Sequence, residues 1–198
     1  VQAGDNYLYS GLRARMNWAL TDKLTHFWQI RASTAVFDST ADFIYNQTRA
    51  QADVGFSRTF DNFSSLTGLV FFGGRQVPDT VDLDYLAFGA EVSLFAFYSG
   101  GDLDLLTRVE RKDYHTYAHE DDYTRWELRG TNTLAIGSQL SFRQEVIAEY
   151  AGFSDSDLVN SSYFRGELAL QAGYRFKEVT VWGGPELEHL TEQESDYT

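Results

Sequence analysis

The sequence predicts an all-β chain built as an up-and-down series of long antiparallel strands, and three observations carry that prediction. Aromatics make up 16% of the residues (12 Tyr, 15 Phe and 4 Trp) and Pro occurs only 2 times, which favours pleated strands over helices or disorder. Apolar and polar residues alternate with period 2 over stretches of roughly a dozen residues, the mark of a strand with one face buried. These stretches are closed alternately by a short turn and by a longer, more acidic connection. No helical repeat, low-complexity tract or Pro/Ser-rich linker interrupts the pattern, so the 198 residues are read as one domain.

Ten segments follow in order, at about 7–20, 24–37, 43–59, 65–76, 83–98, 103–117, 123–136, 139–152, 161–176 and 178–190. The first sets Arg13, Arg15 and Asn17 opposite Leu12, Met16 and Trp18, and turns at Thr21-Asp22-Lys23. The second sets Gln29, Arg31 and Ser33 opposite Trp28, Ile30 and Val36, and leads into the connection from Asp38 to Asp42. The third carries Arg49 and turns through Asp61-Asn62-Phe63-Ser64 into the fourth, which ends at the connection from Val77 to Asp82. The fifth turns at Ser99-Gly100-Gly101-Asp102 into the sixth, which carries Arg108 and Glu110 and runs to the connection from Ala118 to Asp122. In the seventh, Arg125, Glu127, Arg129, Thr131 and Thr133 oppose Trp126, Leu128, Gly130 and Leu134, before a turn at Gly137-Ser138. In the eighth, Ser141, Arg143, Glu145 and Glu149 oppose Phe142, Val146, Ala148 and Tyr150, before the connection from Phe153 to Asn160. In the ninth, Arg165, Glu167, Gln171 and Arg175 oppose Phe164, Leu168, Leu170, Tyr174 and Phe176, before a turn at Lys177-Glu178. Pro185 beside Gly183-Gly184 predicts that the tenth is bent, incomplete or at an edge, since Pro cannot donate to a strand ladder.

Two architectures produce this alternation. A soluble sandwich or barrel turns its apolar face inward, whereas a membrane barrel turns it to lipid and keeps the polar face for the lumen. The segments are about twice the usual 5–6 residues of a soluble strand, as a tilted membrane crossing needs. Their charged face mixes Arg with Glu rather than carrying the Lys of a solvated surface. Aromatics also gather near segment ends, among them Tyr7, Tyr9, Trp18, Phe37, Tyr98, Tyr123, Phe153, Tyr163 and Phe176, as interfacial girdles would. On this pattern, over nearly its whole length, the chain resembles the bacterial outer-membrane β-barrel proteins of porin or exporter type. The resemblance implies an antiparallel up-and-down transmembrane β-barrel in the bacterial outer membrane, in contact with membrane lipid and lipopolysaccharide, with other envelope proteins as further partners.

In such barrels short turns lie on the periplasmic side and longer loops outside. That places both ends of this chain on the outer side, so the expectation is a ten-strand part of a barrel of twelve or more strands, with a closed ten-strand barrel as the alternative. The longer connections and the C-terminal tail hold Asp38, Asp42, Asp79, Asp82, Glu120, Asp121, Asp122, Asp155, Asp157, Glu192, Glu194 and Asp196 with no Lys or Arg among them. Most of the net charge of -13 therefore belongs to one rim, and the wall is almost balanced. Such a rim can bridge through divalent cations to lipopolysaccharide phosphates or repel anions; the plainer reading is acids that keep loops soluble. Centring the seventh hairpin on Gly137 pairs Arg125 with Glu149 and Arg129 with Glu145, and brings Arg165 and Glu167 near Glu186 and Glu188 in the last one. Either these charges satisfy one another in a plugged interior or they line an aqueous path and set its selectivity.

Chemistry is sought and mostly not found. The absence of Cys removes disulfides, thiolate ligands and thiol nucleophiles, and an acidic chain without a Lys/Arg run is unsuited to nucleic acid. No stretch is apolar enough for a transmembrane helix, and no GxGxxG, P-loop, HExxH or GxSxG motif occurs. No His-x-Ser of the outer-membrane phospholipase kind surrounds His26, His115, His119 or His189. Asp82 with Asp84, or His115 and His119 with Asp121 and Asp122, only superficially match the acid pairs of outer-membrane proteases. Asp155-Ser156-Asp157 lacks the Gly and distal Glu of a calcium loop. The chain is therefore expected to be no enzyme and to hold no metal or cofactor. Its expected function is passage of polar solutes, or export of a polymer, along a lumen lined by Arg13, Arg15, Arg31, Arg49, Arg108, Glu110, Arg125, Glu127, Arg129, Arg143, Glu145, Glu149, Arg165 and Glu167. A plugged barrel serving as a scaffold in an envelope complex is the alternative, and an outer-membrane hydrolase comes third.

Overall fold

The computed structural model describes residues 7–37, 46–78, 84–114, 122–153 and 162–192, and among these there is no helix. Eleven strands form one antiparallel sheet: β1 (Tyr7–Thr21), β2 (Leu24–Phe37), β3 (Gln47–Thr59), β4 (Ser65–Gln76), β5 (Tyr85–Tyr98), β6 (Gly101–Tyr114), β7 (Tyr123–Ile136), β8 (Leu140–Phe153), β9 (Tyr163–Phe176), β10 (Val179–Gly183) and β11 (Glu186–Glu192). Each of the first ten pairs with its neighbours in sequence, and β11 pairs with β9. The sheet is not closed: among the described residues β1 pairs with β2 alone, and β10 and β11 with β9 alone.

Nine of the ten expected segments are single strands over their described residues, the third from Gln47 and the fifth from Tyr85; positions 43–45, 83, 115–117 and 161 of the expected segments lie outside the described residues. The tenth is broken at the Gly-Gly-Pro step into β10 and β11. Both parts stay on β9, and the Pro185 carbonyl accepts a hydrogen bond from the Leu170 N–H at 3.0 Å across the break.

One register differs from the expectation. Gly137, at φ 73, does not centre the β7–β8 turn but opens a three-residue loop between the paired residues Ile136 and Leu140. The pairing therefore moves by two residues. Arg125 lies opposite Ala151, Glu127 opposite Glu149, Arg129 opposite Ile147 and Thr131 opposite Glu145. A two-residue shift leaves every side chain on its predicted face, because faces alternate with period 2.

That alternation sorts the sheet into a charged face and an apolar face. Among the described residues no second layer packs on either, yet their accessibility differs sharply. Leu12, Ile30 and Val70 on the apolar face are 71%, 58% and 59% exposed, while Asp53, Glu127 and Glu110 on the charged face are 1%, 7% and 8% exposed. Arg13 on β1 and Arg108 and Lys112 on β6 line one cleft together with residues of the four strands between them, which requires the sheet to bend toward that face. The charged face is therefore the concave one.

Large rings on the concave face lie over glycines of the neighbouring strand. Phe27 is paired with Gly55, and Phe71 with Gly89; both rings are buried. A Cβ on Gly55 would stand 2.4 Å from the Gly68 carbonyl oxygen and 2.7 Å from the Phe27 ring. One on Gly89 would stand 2.1 Å from the Val109 carbonyl oxygen and 2.5 Å from the Phe71 ring. Because backbone as well as ring must give way, Gly55→Ala and Gly89→Ala are expected to lower the unfolding free energy by about 1–3 kcal/mol. Gly68→Ala, whose Cβ would meet nothing within 4 Å, should change it by less than about 0.5 kcal/mol; urea titration of the folded protein checks all three.

Candidate functional site

The charged concave face is the candidate site, and two networks organise it. The first spans β1 to β3 and centres on Asp53, whose side chain is fully buried. Its carboxylate accepts hydrogen bonds from Gln29 at 2.7 Å, from Arg31 at 2.9 and 3.2 Å, and from Gln51 at 2.5 Å. Gln29 in turn accepts two bonds from Arg13, at 3.0 and 2.6 Å. A buried carboxylate is tolerated only when it is paired and fully bonded in this way. Arg15 stands beside the network, donating to Asn17 at 2.9 Å with its guanidinium 4.2 Å from the Phe27 ring centre.

The second network runs across β5 to β9. Arg108 reaches Glu110 at 2.5 Å and Glu91 at 3.5 Å, and lies 4.2 Å from the Phe71 ring centre. Lys112 pairs with Glu110 at 3.5 Å between the rings of Tyr85 and Tyr123. Arg125 bridges Glu127 and Glu149 at 2.8 and 2.7 Å. It thereby compensates a like-charge pair that the register sets directly opposite, which alone would be destabilising. Arg129 closes on Glu127 from the other side, and the Tyr163 hydroxyl donates to Glu149. Arg143 pairs with Glu145, and Arg165 pairs with Glu167 and, at 3.0 Å, with Glu188 on β11.

All fourteen wall residues named from the sequence thus lie on one face of one sheet, but they make two kinds of contact. The arginines among them on β6 to β9 bind carboxylates. Of those on β1 to β3, Arg31 alone has a carboxylate partner among the described residues; Arg49, like Arg13, donates twice to a glutamine amide oxygen, that of Gln47 at 3.1 and 2.9 Å. The predicted Arg125–Glu149 contact is made, but along a diagonal, and Arg129 pairs with Glu127 in its own strand rather than with Glu145. Near the last hairpin, Glu188 is reached by Arg165 as expected, whereas Glu186 lies opposite Ala169.

Sequence reasoning missed Asp53, Glu91, Lys112 and Tyr163. A signal existed for Asp53, since Gln47, Arg49, Gln51 and Asp53 keep period 2 through β3. Nothing in sequence marked Tyr163 as a hydroxyl donor rather than a girdle ring.

Two clefts open on the concave face. One, of about 490 Å³, is lined from six strands by residues including Arg13, Arg31, Arg49, Arg108, Glu110 and Lys112. The other, of about 320 Å³, is lined by Glu91, Leu106, Arg108, Glu110, Arg125, Glu127 and Arg129 and is balanced in charge.

The two described histidines line neither cleft. His26 is on the apolar face at the short-turn end, between Trp18 and Phe56, with its Nε2 accepting from the Trp28 indole at 2.7 Å. His189, also on the apolar side, contacts Thr191 at 2.7 Å. Of the acid pair considered above, Asp84 accepts from the Val77 N–H at 2.6 Å, and Asp82 lies outside the described residues. So do His115, His119, the 155–157 segment and most of the acidic rim. Asp122 is described and accepts from the Tyr114 N–H at 2.7 Å. No family model matches the chain, and no curated protein matches it.

The network around Arg125 should behave as a unit. Arg125→Met leaves Glu127 and Glu149 facing each other and is expected to lower stability by about 1–3 kcal/mol. Combining it with Glu149→Met should cost clearly less than the sum of the two single changes; a double-mutant cycle in urea checks this.

Proposed function

We propose that this chain forms the wall, or most of the wall, of a transmembrane β-barrel in the bacterial outer membrane, and that its charged concave face lines an aqueous path for polar solutes or an exported polymer. The observation that carries the reading is the sidedness of the sheet: concave and charged, convex and apolar. In water each large apolar side chain left exposed forgoes roughly 1.5–3 kcal/mol of burial, and the convex face presents such side chains on every strand from β1 to β9. A surface of that extent far exceeds the apolar patches of a soluble monomer. Acyl chains remove the penalty without needing a second protein layer.

Strand length fits the same solvent. A strand of 14 residues, such as β2, spans about 46 Å and, tilted by about 45°, rises about 33 Å, against a hydrocarbon core of about 30 Å. The cluster of Trp18, His26, Trp28 and Phe56 sits on the apolar face beside the short turns, where amphipathic rings favour the headgroup boundary. In this environment lipid and lipopolysaccharide are the immediate partners, and the Arg/Glu ladder conducts without covalent chemistry.

Two measurements test the proposal. In brominated-lipid vesicles, single-tryptophan variants retaining Trp28 or Trp126 on the apolar face should be strongly quenched, while one retaining Trp182, which is paired with Gly173 on the concave face, should not. Equal quenching at all three, or none, overturns the assigned sidedness. Folded protein in planar bilayers should carry ion current whose selectivity shifts toward cations in Arg125→Ala or Arg129→Ala; folded, inserted protein that carries no current is a scaffold, not a conduit.

A further inference from the structure

We propose that the larger cleft, over β1 to β6, is a binding site for oxyanions carried by polar solutes, the common chemistry of carboxylate- and phosphate-bearing sugars. The inference deepens the conduit reading and rests on it for the meaning of the site, though not for its test.

The argument begins with an imbalance. Across β6 to β9 the chain pairs Arg108, Arg125, Arg129, Arg143 and Arg165 with carboxylates, so it is able to do so. On β1 to β4 it instead sets like charges directly opposite: Arg13 faces Arg31, and Arg49 faces Arg75. Such pairs are destabilising in a folded sheet. Arg13 and Arg49 each use Nε and Nη2 on a neutral amide oxygen, which orients the guanidinium and leaves its charge uncompensated. The Tyr85 ring lies between two neighbouring cations of the same concave face, 4.9 Å from Arg75 and 4.8 Å from Lys112, the latter also paired with Glu110.

The result is a cleft of about 490 Å³ lined by Arg13, Arg31, Arg49, Arg108 and Lys112, of which Arg31 is engaged by Asp53, and Arg108 and Lys112 by Glu91 and Glu110, so that the excess charge is that of Arg13 and Arg49. Its volume is that of a small-ligand site. The planar donor fork of arginine suits carboxylate and phosphate oxygens, and it is worth more in a partly dehydrated cleft than in open water. Serine and glutamine side chains at Ser33 and Gln51 add hydrogen-bonding partners for hydroxyls. The second cleft, with three arginines against three glutamates, has no such excess.

The test is calorimetric titration of the detergent-folded full chain with three probes: trigalacturonate, inorganic tripolyphosphate and neutral maltotriose. One or both anions should bind, more weakly as salt is raised, and the better of the two identifies carboxylate or phosphate as the preferred group. Arg13→Gln and Arg49→Gln should each weaken binding about tenfold. Arg49→Lys should restore part of the loss, and Lys177→Gln, at the distant β9–β10 turn, should leave it unchanged. Heat-modifiable migration on gels confirms that each variant is folded. Equal binding of maltotriose, binding of neither anion, or indifference to both glutamine variants overturns the proposal. Protein that conducts but binds no anion refutes this site alone; protein that binds anions but does not conduct refutes the conduit alone.

Discussion

The lateral backbone ladder is the interaction on which the rest depends. A single-layer sheet has no second layer to hold it, so its coherence comes from hydrogen bonds between strands of 12–15 residues. Between β1 and β9 the ladder slips once, where the Thr21 hydroxyl takes up the Lys23 and Leu24 N–H groups at the first turn. That slip falls on the last pair before the turn; continuous pairing elsewhere from β1 to β9 keeps odd and even residues on opposite sides, and an odd-numbered slip within a strand would send arginines into the apolar face. The separation of charge from hydrocarbon is thus a consequence of register, not a separate achievement of packing.

Much of this was legible in the sequence, for the reason that period 2 is a geometric property of the extended chain. Every wall residue assigned from alternation sits on the concave face, and the Gly183-Gly184-Pro185 step marked the break in the last strand. Register was not legible to the same degree. A glycine at positive φ can centre a turn or open it, and the local residues Gly137 and Ser138 do not distinguish the two; the difference moved every β7–β8 partner by two. Side-chain pairing was harder still. Long arginine side chains bond along diagonals and within their own strand, so a list of opposing residues does not give the ion pairs. Asp53 shows the limit well: its face could be read, but its role as the acceptor for Gln29, Arg31 and Gln51 depends on three side chains converging from two strands.

The distribution of charge has two levels. Of the 29 acidic residues, 11 fall in the segments outside the described residues and 18 in the strands and short turns, together with all 16 Lys and Arg. The sheet itself is therefore close to neutral despite the net charge of the chain. Within it the balance is uneven: most arginines of β6 to β9 are matched to acids, whereas on β1 to β3 Arg31 is matched to Asp53 but Arg13 and Arg49 to amides. The sheet therefore has a sector close to neutral and a more basic one.

The rings seated over glycines carry a consequence for how the sheet is assembled. Phe27 over Gly55, Phe71 over Gly89 and Trp182 over Gly173 are pairs of residues directly opposite one another. Sliding β2 along β3 by two residues would keep the faces correct but drive the Phe27 ring against the side chain of Asp53 or Ser57. Alternation cannot reject that misalignment, and the peg-and-socket fit can. A nascent hairpin that closes out of step is left with a ring it cannot seat, and it reopens more readily than one that has closed true.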